Sequence, residues 1–168
     1  MLTFTSTRTD DPTAADLLAK YFADRSESFP DAHRGYTVKM PRPEDFVPPA
    51  GDFVVVTLDG EPCGCGGVRR IDDAIESGEP LARFEVKHIW LAPWTRGQGA
   101  GRRLLDELER RAIELGARRL VLDTHESLEA AGHLYRTSGY TSVAPYNDNP
   151  NATHWYAKDV GSGPDPAA

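Results

Sequence analysis

Cysteine is scarce in this chain, with Cys63 and Cys65 the only two. Two thiols cannot build the multi-bridge framework of a small secreted domain. At i and i+2 on a strand they would share a face. No other thiol or histidine stands close enough in sequence to complete a metal set with them. The expectation is two reduced core residues, no metal site and a cytoplasmic protein. Long apolar runs are missing as well, and none approaches the about 20 residues that a membrane span needs. Met1-Leu2-Thr3-Phe4-Thr5-Ser6-Thr7-Arg8 has no basic start followed by an apolar stretch, so no signal peptide is expected. Positive charge is in deficit, the formal net charge being -7. Phosphate contacts need a basic surface, so general binding of nucleic acid or of an anionic membrane is excluded. The same deficit tilts the expectation toward a cationic substrate. No internal repeat and no second domain can be found.

What is present reads as one ordinary globular domain. Of 168 residues, 39% are hydrophobic and 27% charged, enough for one sizeable core. The domain is expected over residues 1–160. The tail from residue 161 to 168, which includes Gly161-Ser162-Gly163-Pro164-Asp165-Pro166, is expected to be disordered. Leu2, Phe4 and Ser6 alternate with threonines as a first strand. Asp10-Asp11-Pro12 is a helix start, followed by an apolar stripe of Leu17, Leu18, Tyr21 and Phe22. Ser26 to Ala50 reads as a long loop with one short helical turn. Phe53 to Leu58 is a second strand and Asp59-Gly60 a hairpin turn. Cys63 to Ile71 returns as a third strand, so rich in glycine that something must approach it closely. Asp72 to Pro80 is polar and reads as a loop. Arg83 to Leu91 is a fourth strand, stopped by Pro93.

The clearest periodicity follows. Leu104, Leu105, Leu108, Ala112 and Leu115 recur at helical spacing between Gly99 and Gly116. Leu120-Val121-Leu122 is a short buried strand. Ser127 is placed to cap a helix carrying Leu128, Ala131, Leu134 and Tyr135, which ends at Gly139. Strands near Tyr140 to Val143 and His154 to Ala157 complete the order. The whole is an α/β (α+β) domain around one mixed sheet.

Arg96-Gly97-Gln98-Gly99-Ala100-Gly101 lies between the fourth strand and the amphipathic helix. A helix start offers unpaired N–H groups and a partial positive charge, and glycines let an anion come close. Arg96 can add a charge-assisted contact. In physical terms this is a diphosphate cradle. A nucleotide P-loop would need Gly-Lys-Ser/Thr at its end, and a dinucleotide fingerprint a third glycine at 102. Arg102 excludes both. A bare glycine-rich helix cap is the other reading of the same residues.

The segment from Glu85 to Gly101 resembles the central motif of the GNAT acetyltransferases, Arg/Gln-x-x-Gly-x-Gly/Ala after a strand, with Arg96, Gly99 and Gly101 at the matching positions. Ala131-Gly132-His133-Leu134-Tyr135-Arg136-Thr137-Ser138-Gly139-Tyr140 is similar to a second segment of that family. The resemblance spans about Phe53 to Asp159. It implies a mostly antiparallel sheet of about seven strands, split between strands four and five, with acetyl-CoA in the split. The pantetheine arm would pair with Ile89 and Leu91. The pyrophosphate would sit on Arg96, Gly97, Gln98, Gly99, Ala100 and Gly101, with Arg102 and Arg103 near the other phosphate. The acceptor would be a primary amine. The family often carries an asparagine seven residues before the helix tyrosine, whereas this chain has Leu128. A homodimer is compatible with the resemblance.

The chemistry then needs a proton donor for the departing sulfur and an acceptor for the amine's proton. Tyr135 matches the family's acid, and an unperturbed phenol near ~10 is protonated at neutral pH. A packing role on the helix's apolar face is the alternative. Glu85, eleven residues before Arg96, matches the base glutamate of the family's histone-acetylating branch. It reads equally as a strand glutamate paired with Lys87 or Arg83. His125, His133 and His154 also titrate near neutrality, and His125 follows the fifth strand at the edge of an acceptor pocket. His88 reads as structural. Tyr146-Asn147-Asp148-Asn149-Pro150 is either a rigid asparagine turn or, through Asn147 and Asn149, a polar wall over the acceptor.

Overall fold

The computed structural model describes residues 1–31 and 33–161. Residues 162–168, nearly all of the expected disordered tail, lie outside the described residues. The chain runs through strand β1 (Leu2–Ser6), helix α1 (Pro12–Ser28), strands β2 (Gly51–Leu58), β3 (Glu61–Glu76) and β4 (Glu79–Leu91), helix α2 (Ala100–Glu114), strand β5 (Arg119–Thr124), helix α3 (Glu129–Thr137), and strands β6 (Thr141–Ser142) and β7 (His154–Asp159). One sheet holds all seven strands in the order β1-β2-β3-β4-β5-β7-β6, every neighbouring pair antiparallel except β4–β5.

Each helix forms where local chemistry directs it. Asp11 caps α1 by accepting from Thr13 N–H at 2.9 Å, and Pro12 opens its first turn. Ala14, Leu17, Leu18 and Phe22 then bury against Phe46, Phe53 and Val55 on one face of the sheet. On the other face α2 buries Leu104, Leu105, Leu108 and Ala112 against Val54, Val68, Phe84 and Leu120. Each fully buried leucine contributes about 1.5–3 kcal/mol. Ion pairs fix the helix in place: Arg111 reaches Asp52 at 2.6 Å and Lys158 reaches Glu109 at 2.8 Å. The start of α2 is thereby set at the end of β4. The short turn expected inside the long loop is a 3-10 turn, Pro43–Phe46, whose Phe46 ring presses on Gly67. Gly66 is likewise covered by Leu108 and Gly64 by Leu91, so the glycine-rich strand is closely approached on both faces.

Three local expectations change. Residues 72–80 are not a loop. β3 runs to Glu76, β4 starts at Glu79, and Ser77-Gly78 (φ 52° and 82°) makes a two-residue hairpin turn. Both faces of this outer hairpin meet water: most of its residues are polar and exposed, and even Ile75 is 72% exposed. Ser127 does not cap α3. Its Oγ is 2.8 Å from His125 Nδ1, and Leu128 occupies the cap position with no side-chain bond. Cys63 and Cys65 are both buried but do not share a face. An extra residue in β3 opposite Val56/Thr57 shifts the register, which sends Cys63 to the α2 side and Cys65 to the α1 side.

Candidate active site

β4 and β5 pair at three positions only: Arg83 with Arg119, Phe84 with Leu120 and Glu85 with Val121. β4 then continues to Leu91 without β5 beside it. The cause lies on the opposite edge. Between the pairs Cys65–Trp90 and Gly67–Lys87, β4 has one residue more than β3. His88 stands in this bulge with φ 57°, and a bulge bends its strand. The result is a split sheet. Ile89 and Leu91 lie on the stretch of β4 whose outer edge has no strand partner, and such an edge can pair with an extended ligand.

The glycine loop crosses the end of this split. Gly97 and Gly99 have φ of 78° and 69°, a left-handed region where glycine is nearly strain-free. No side chain caps α2, and its first backbone bond runs from Arg103 N–H to Gly99 C=O at 3.2 Å. The N–H groups of Ala100, Gly101 and Arg102 therefore have no acceptor within the helix. They converge with the positive end of the helix dipole into an anion cradle. Arg96, Gly97, Gln98 and Gly99 are exposed around it. The Arg102 guanidinium is committed elsewhere. It donates to Ser138 Oγ at 2.5 Å and Thr137 C=O at 3.1 Å, which ties the start of α2 to the end of α3. Arg102 can offer an anion its backbone N–H.

On the α1 side of the split lies a cavity of about 600 Å³. α1 contributes Tyr21 and Arg25, β4 Lys87 and His88, and α3 Leu134 and Tyr135. Tyr135 is only 8% exposed and packs edge-on and tilted against Tyr140 and Tyr156 at 6.0 and 6.1 Å. Burial pushes its phenol up to about 12, partly offset by the charge of Arg25.

Against this geometry the chain can be compared with known proteins. The profile of the acetyltransferase (GNAT) family matches residues 14–140. The chain belongs to the acetyltransferase (GNAT) family. The members of this GNAT family are N-acetyltransferases that draw on acetyl-CoA. An uncharacterized N-acetyltransferase of Escherichia coli is 26% identical over 138 residues, 80% of this chain and 78% of that protein. An uncharacterized N-acetyltransferase of Schizosaccharomyces pombe is 35% identical over 66 residues, so the match spans only 39% of this chain and 40% of that relative. A GNAT acetyltransferase of Elizabethkingia anophelis, solved with acetyl-CoA bound, shares the fold at a TM-score of 0.60, 18% identity and coverage of 95% and 98% of the two chains.

Within this GNAT fold, Glu85 sits at the root of the split and is 1% exposed. Its cross-strand partner in β3 is Arg69, which donates to Oε1 from Nε at 3.0 Å and from Nη2 at 2.8 Å. Oε2 accepts from Tyr146 Oη at 2.7 Å and from Asn147 Nδ2 at 3.3 Å, with Lys87 Nζ at 3.5 Å. Glu85 is thus paired with Lys87, as the salt-bridge reading anticipates, and with Arg69 in place of Arg83. It does not line the cavity, although Arg69, Lys87 and Asn147 do. Burial and the nearby Glu85 together push the Tyr146 phenol well above its ordinary value. Removing the charge from Glu85 leaves Arg69 and Lys87 short of their common counter-ion. Glu85→Gln is expected to destabilise the fold by about 3 kcal/mol, at the lower end for a broken buried pair. Thermal unfolding checks this, and a melting temperature within 2 °C of wild type would mean that the network is solvated.

The asparagine segment is a rigid turn and a cavity wall at once. Asn149 N–H donates to Asn147 Oδ1 at 3.2 Å and Asn151 N–H to Asn149 Oδ1 at 3.0 Å. Asn147 and Asn149 both line the cavity. Asn147 Nδ2 also donates to Asp123 at 2.7 Å, and its Oδ1 accepts from Trp155 Nε1 at 2.9 Å. Asn151 makes two bonds to the backbone of Thr37, 2.9 and 2.8 Å, and clasps the two loops together.

The histidines separate by place. His125 is not in the cavity wall: its Nδ1 accepts from Ser127 N–H at 3.1 Å and its ring meets Phe29 edge-on at 5.3 Å. His133 is exposed on α3, and His154 stacks on Tyr156 at 6.3 Å. His88 does line the cavity, and burial together with Lys87 and Arg69 pushes it down to about 3, so it is neutral at physiological pH. Sequence reading missed Arg25, Arg69 and Asp123. Only the register of β3 against β4 puts Arg69 on Glu85. The polar Asp123 directly after Leu120-Val121-Leu122 was a usable signal for the lip of the split.

Proposed function

We propose that the chain transfers an acetyl group from acetyl-CoA to a primary amine of a small molecule or amino acid, by direct attack in a ternary complex. One observation carries this reading: the β4–β5 split joins the anion cradle at the start of α2 to a cavity lined by Tyr135. In this reading the N–H groups of Ala100, Gly101 and Arg102 hold the pyrophosphate, with Gly97, Gln98 and Gly99 shaping the loop and Arg96 adding charge. The open edge of β4 at Ile89 and Leu91 pairs with the pantetheine arm. An N–H of that edge polarises the thioester carbonyl as its oxygen gains charge.

The amine nitrogen forms a bond to the carbonyl carbon and the carbon–sulfur bond breaks. Tyr135 faces the departing sulfur. A phenol near 12 stays protonated when the thiolate leaves. It is a weaker acid than a thiol of about 8.5, so its part is to donate a hydrogen bond to the developing charge. The net proton on sulfur comes from the amine. Glu85 has every visible lone pair engaged, which supports a positioning role: it holds Arg69, Lys87 and Asn147 in the wall. A glutamate acting directly as base would need an oxygen open to the amine.

Incubation with acetyl-CoA and a panel of primary amines, read by release of free thiol, tests the reading. Amine-dependent release is expected. Saturable acetyl-CoA binding with no release for any amine would point to a module that binds acyl-CoA without transferring it.

A further inference from the structure

The cavity carries more charge than acetyl transfer requires. Five cations face it: Arg25, Lys39, Arg42, Arg69 and Lys87. Three carboxylates do: Asp45, Asp123 and Asp148. Counted with Glu85 and Glu44, which pair with three of these cations, five cations meet five carboxylates, so the cavity is close to neutral although the whole chain is at -7. Field depends on the charges nearby, because distant surface charges are screened within about 8–10 Å.

Pairing sorts these cations. Arg69 is held by Glu85 and Asp45, Lys87 by Glu85 and Asp123, and Arg42 lies 4.0 Å from Glu44. Arg25 differs. Among the described residues no carboxylate lies within salt-bridge distance of it. The acidic residue beside it in sequence, Asp24, accepts instead from Trp90 Nε1 at 2.7 Å. The Arg25 guanidinium rests 5.5 Å over the Tyr36 ring, a stacking that orients the planar group. Its charge is felt by Tyr135, so it acts close to the reaction centre.

The wall near Arg25 is aromatic. The rings of Tyr21, Phe22 and Phe46 surround that of His88 at 5.4, 5.6 and 5.7 Å. A neutral imidazole adds no charge there. Across the cavity, Asp123 stands on β5 at the other lip of the split. Its Oδ2 accepts from Asn147 at 2.7 Å, while Oδ1 has only Lys87 at 3.4 Å. Asp148 also lines the cavity and makes no ion pair among the described residues, but Asp123 is the lining carboxylate whose charge reaches Tyr135.

Resting on the acetyl-transfer reading above, we propose that the acceptor is an amino acid with an apolar or aromatic side chain. Its carboxylate pairs with Arg25, its side chain lies on the Tyr21–Phe22–His88 wall, and its ammonium meets Asp123 beside Tyr135. The ammonium gives up one proton toward Asp123 and solvent. The freed lone pair attacks, the nitrogen loses its second proton, and the sulfur leaves as thiol. A polyamine has no carboxylate to offer Arg25, which no described carboxylate pairs with.

Turnover of L-phenylalanine, phenethylamine and spermidine with acetyl-CoA tests this. Phenylalanine and phenethylamine differ only in the carboxylate. The expected result is a kcat/KM for phenylalanine at least about tenfold above that for phenethylamine, the span of one charge-assisted hydrogen bond. Arg25→Gln is expected to collapse this preference toward one by raising KM for phenylalanine about 10- to 100-fold, and Arg25→Lys to restore part of it. The KM for acetyl-CoA serves as the control for folding and is expected to hold within about twofold. Equal use of phenylalanine and phenethylamine, or a preference for spermidine, overturns the amino-acid proposal and leaves acetyl transfer standing. A preference for phenylalanine that survives Arg25→Gln also overturns it as argued. Failure of every amine overturns both readings.

Discussion

Tyr135→Phe is expected to lower kcat about 100-fold, the low end for a lost hydrogen-bond donor to charge that develops in the transition state. The KM for acetyl-CoA should change by no more than about twofold. The substitution separates two roles that coexist in one side chain. The ring packs against Tyr140 and Tyr156, and phenylalanine keeps that packing. In the proposed reaction the hydroxyl donates to the departing sulfur, and phenylalanine removes it. Melting temperature should therefore hold while turnover falls. An unchanged kcat would leave Tyr135 with packing alone. The sign of the pH effect follows from the raised phenol. Its folded value of about 12 exceeds the ordinary 10, so the protonated form is favoured by folding. That stabilisation is complete below pH 10 and is lost as pH rises through 12. The kcat profile of the wild type should show no loss from phenol ionisation up to about pH 10. A falling limb well below pH 10 that disappears in Tyr135→Phe would mean the hydroxyl is exposed to water, against the buried placement.

Gly99→Glu is expected to weaken acetyl-CoA binding at least about 100-fold. Two effects combine, and a second variant separates them. Gly99 caps α2 at φ 69°, where any Cβ costs about 1–2 kcal/mol. Nothing lies within 4 Å of the added Cβ, so the cost is conformational and not a clash. Gly99→Ala carries that strain alone. It should lower the melting temperature by a few degrees and affinity only modestly. Gly99→Glu adds a carboxylate beside the diphosphate, a repulsion of about 1–4 kcal/mol depending on local screening. Calorimetric titration with acetyl-CoA reads both. Equal affinities for the alanine and glutamate variants would show that the loop caps the helix and holds no anion.

The parts of the site legible in the sequence were those built from neighbours in the chain. The cradle is a backbone property of six consecutive residues and a helix start, so Gly97, Gly99 and the stripe beginning at Leu104 were enough to place it. Tyr135 was legible because it lies in a segment with its own spacing to Gly139. The rest of the cavity wall was legible only in part. Asn147 and Asn149 were singled out from their turn-rich segment, but Arg25, Arg69 and Asp123 come from α1, β3 and β5, and no spacing links them. Glu85 shows the limit most sharply. Its position on β4 was read correctly, but both a base and a paired strand glutamate fitted that position. Its donors Arg69 and Tyr146 lie 16 and 61 residues away.

Sequence alone determined the element order and put a glycine loop at the start of a helix, because helix periodicity, strand alternation and glycine conformation act over a few residues; the family was reached through the resemblance of two motifs. Tertiary structure decided the rest. The outer hairpin at Ser77-Gly78 looked like a loop because both its faces are wet, and burial patterns report only contact with a core. The two cysteines separated across the sheet because one bulge reverses which face a side chain takes. The bulge at His88 opened the split, and its extra residue appears only when β4 is laid against β3. The cavity is close to neutral in a chain at -7 because Coulomb interactions weigh distance in space, and only the fold sets that distance.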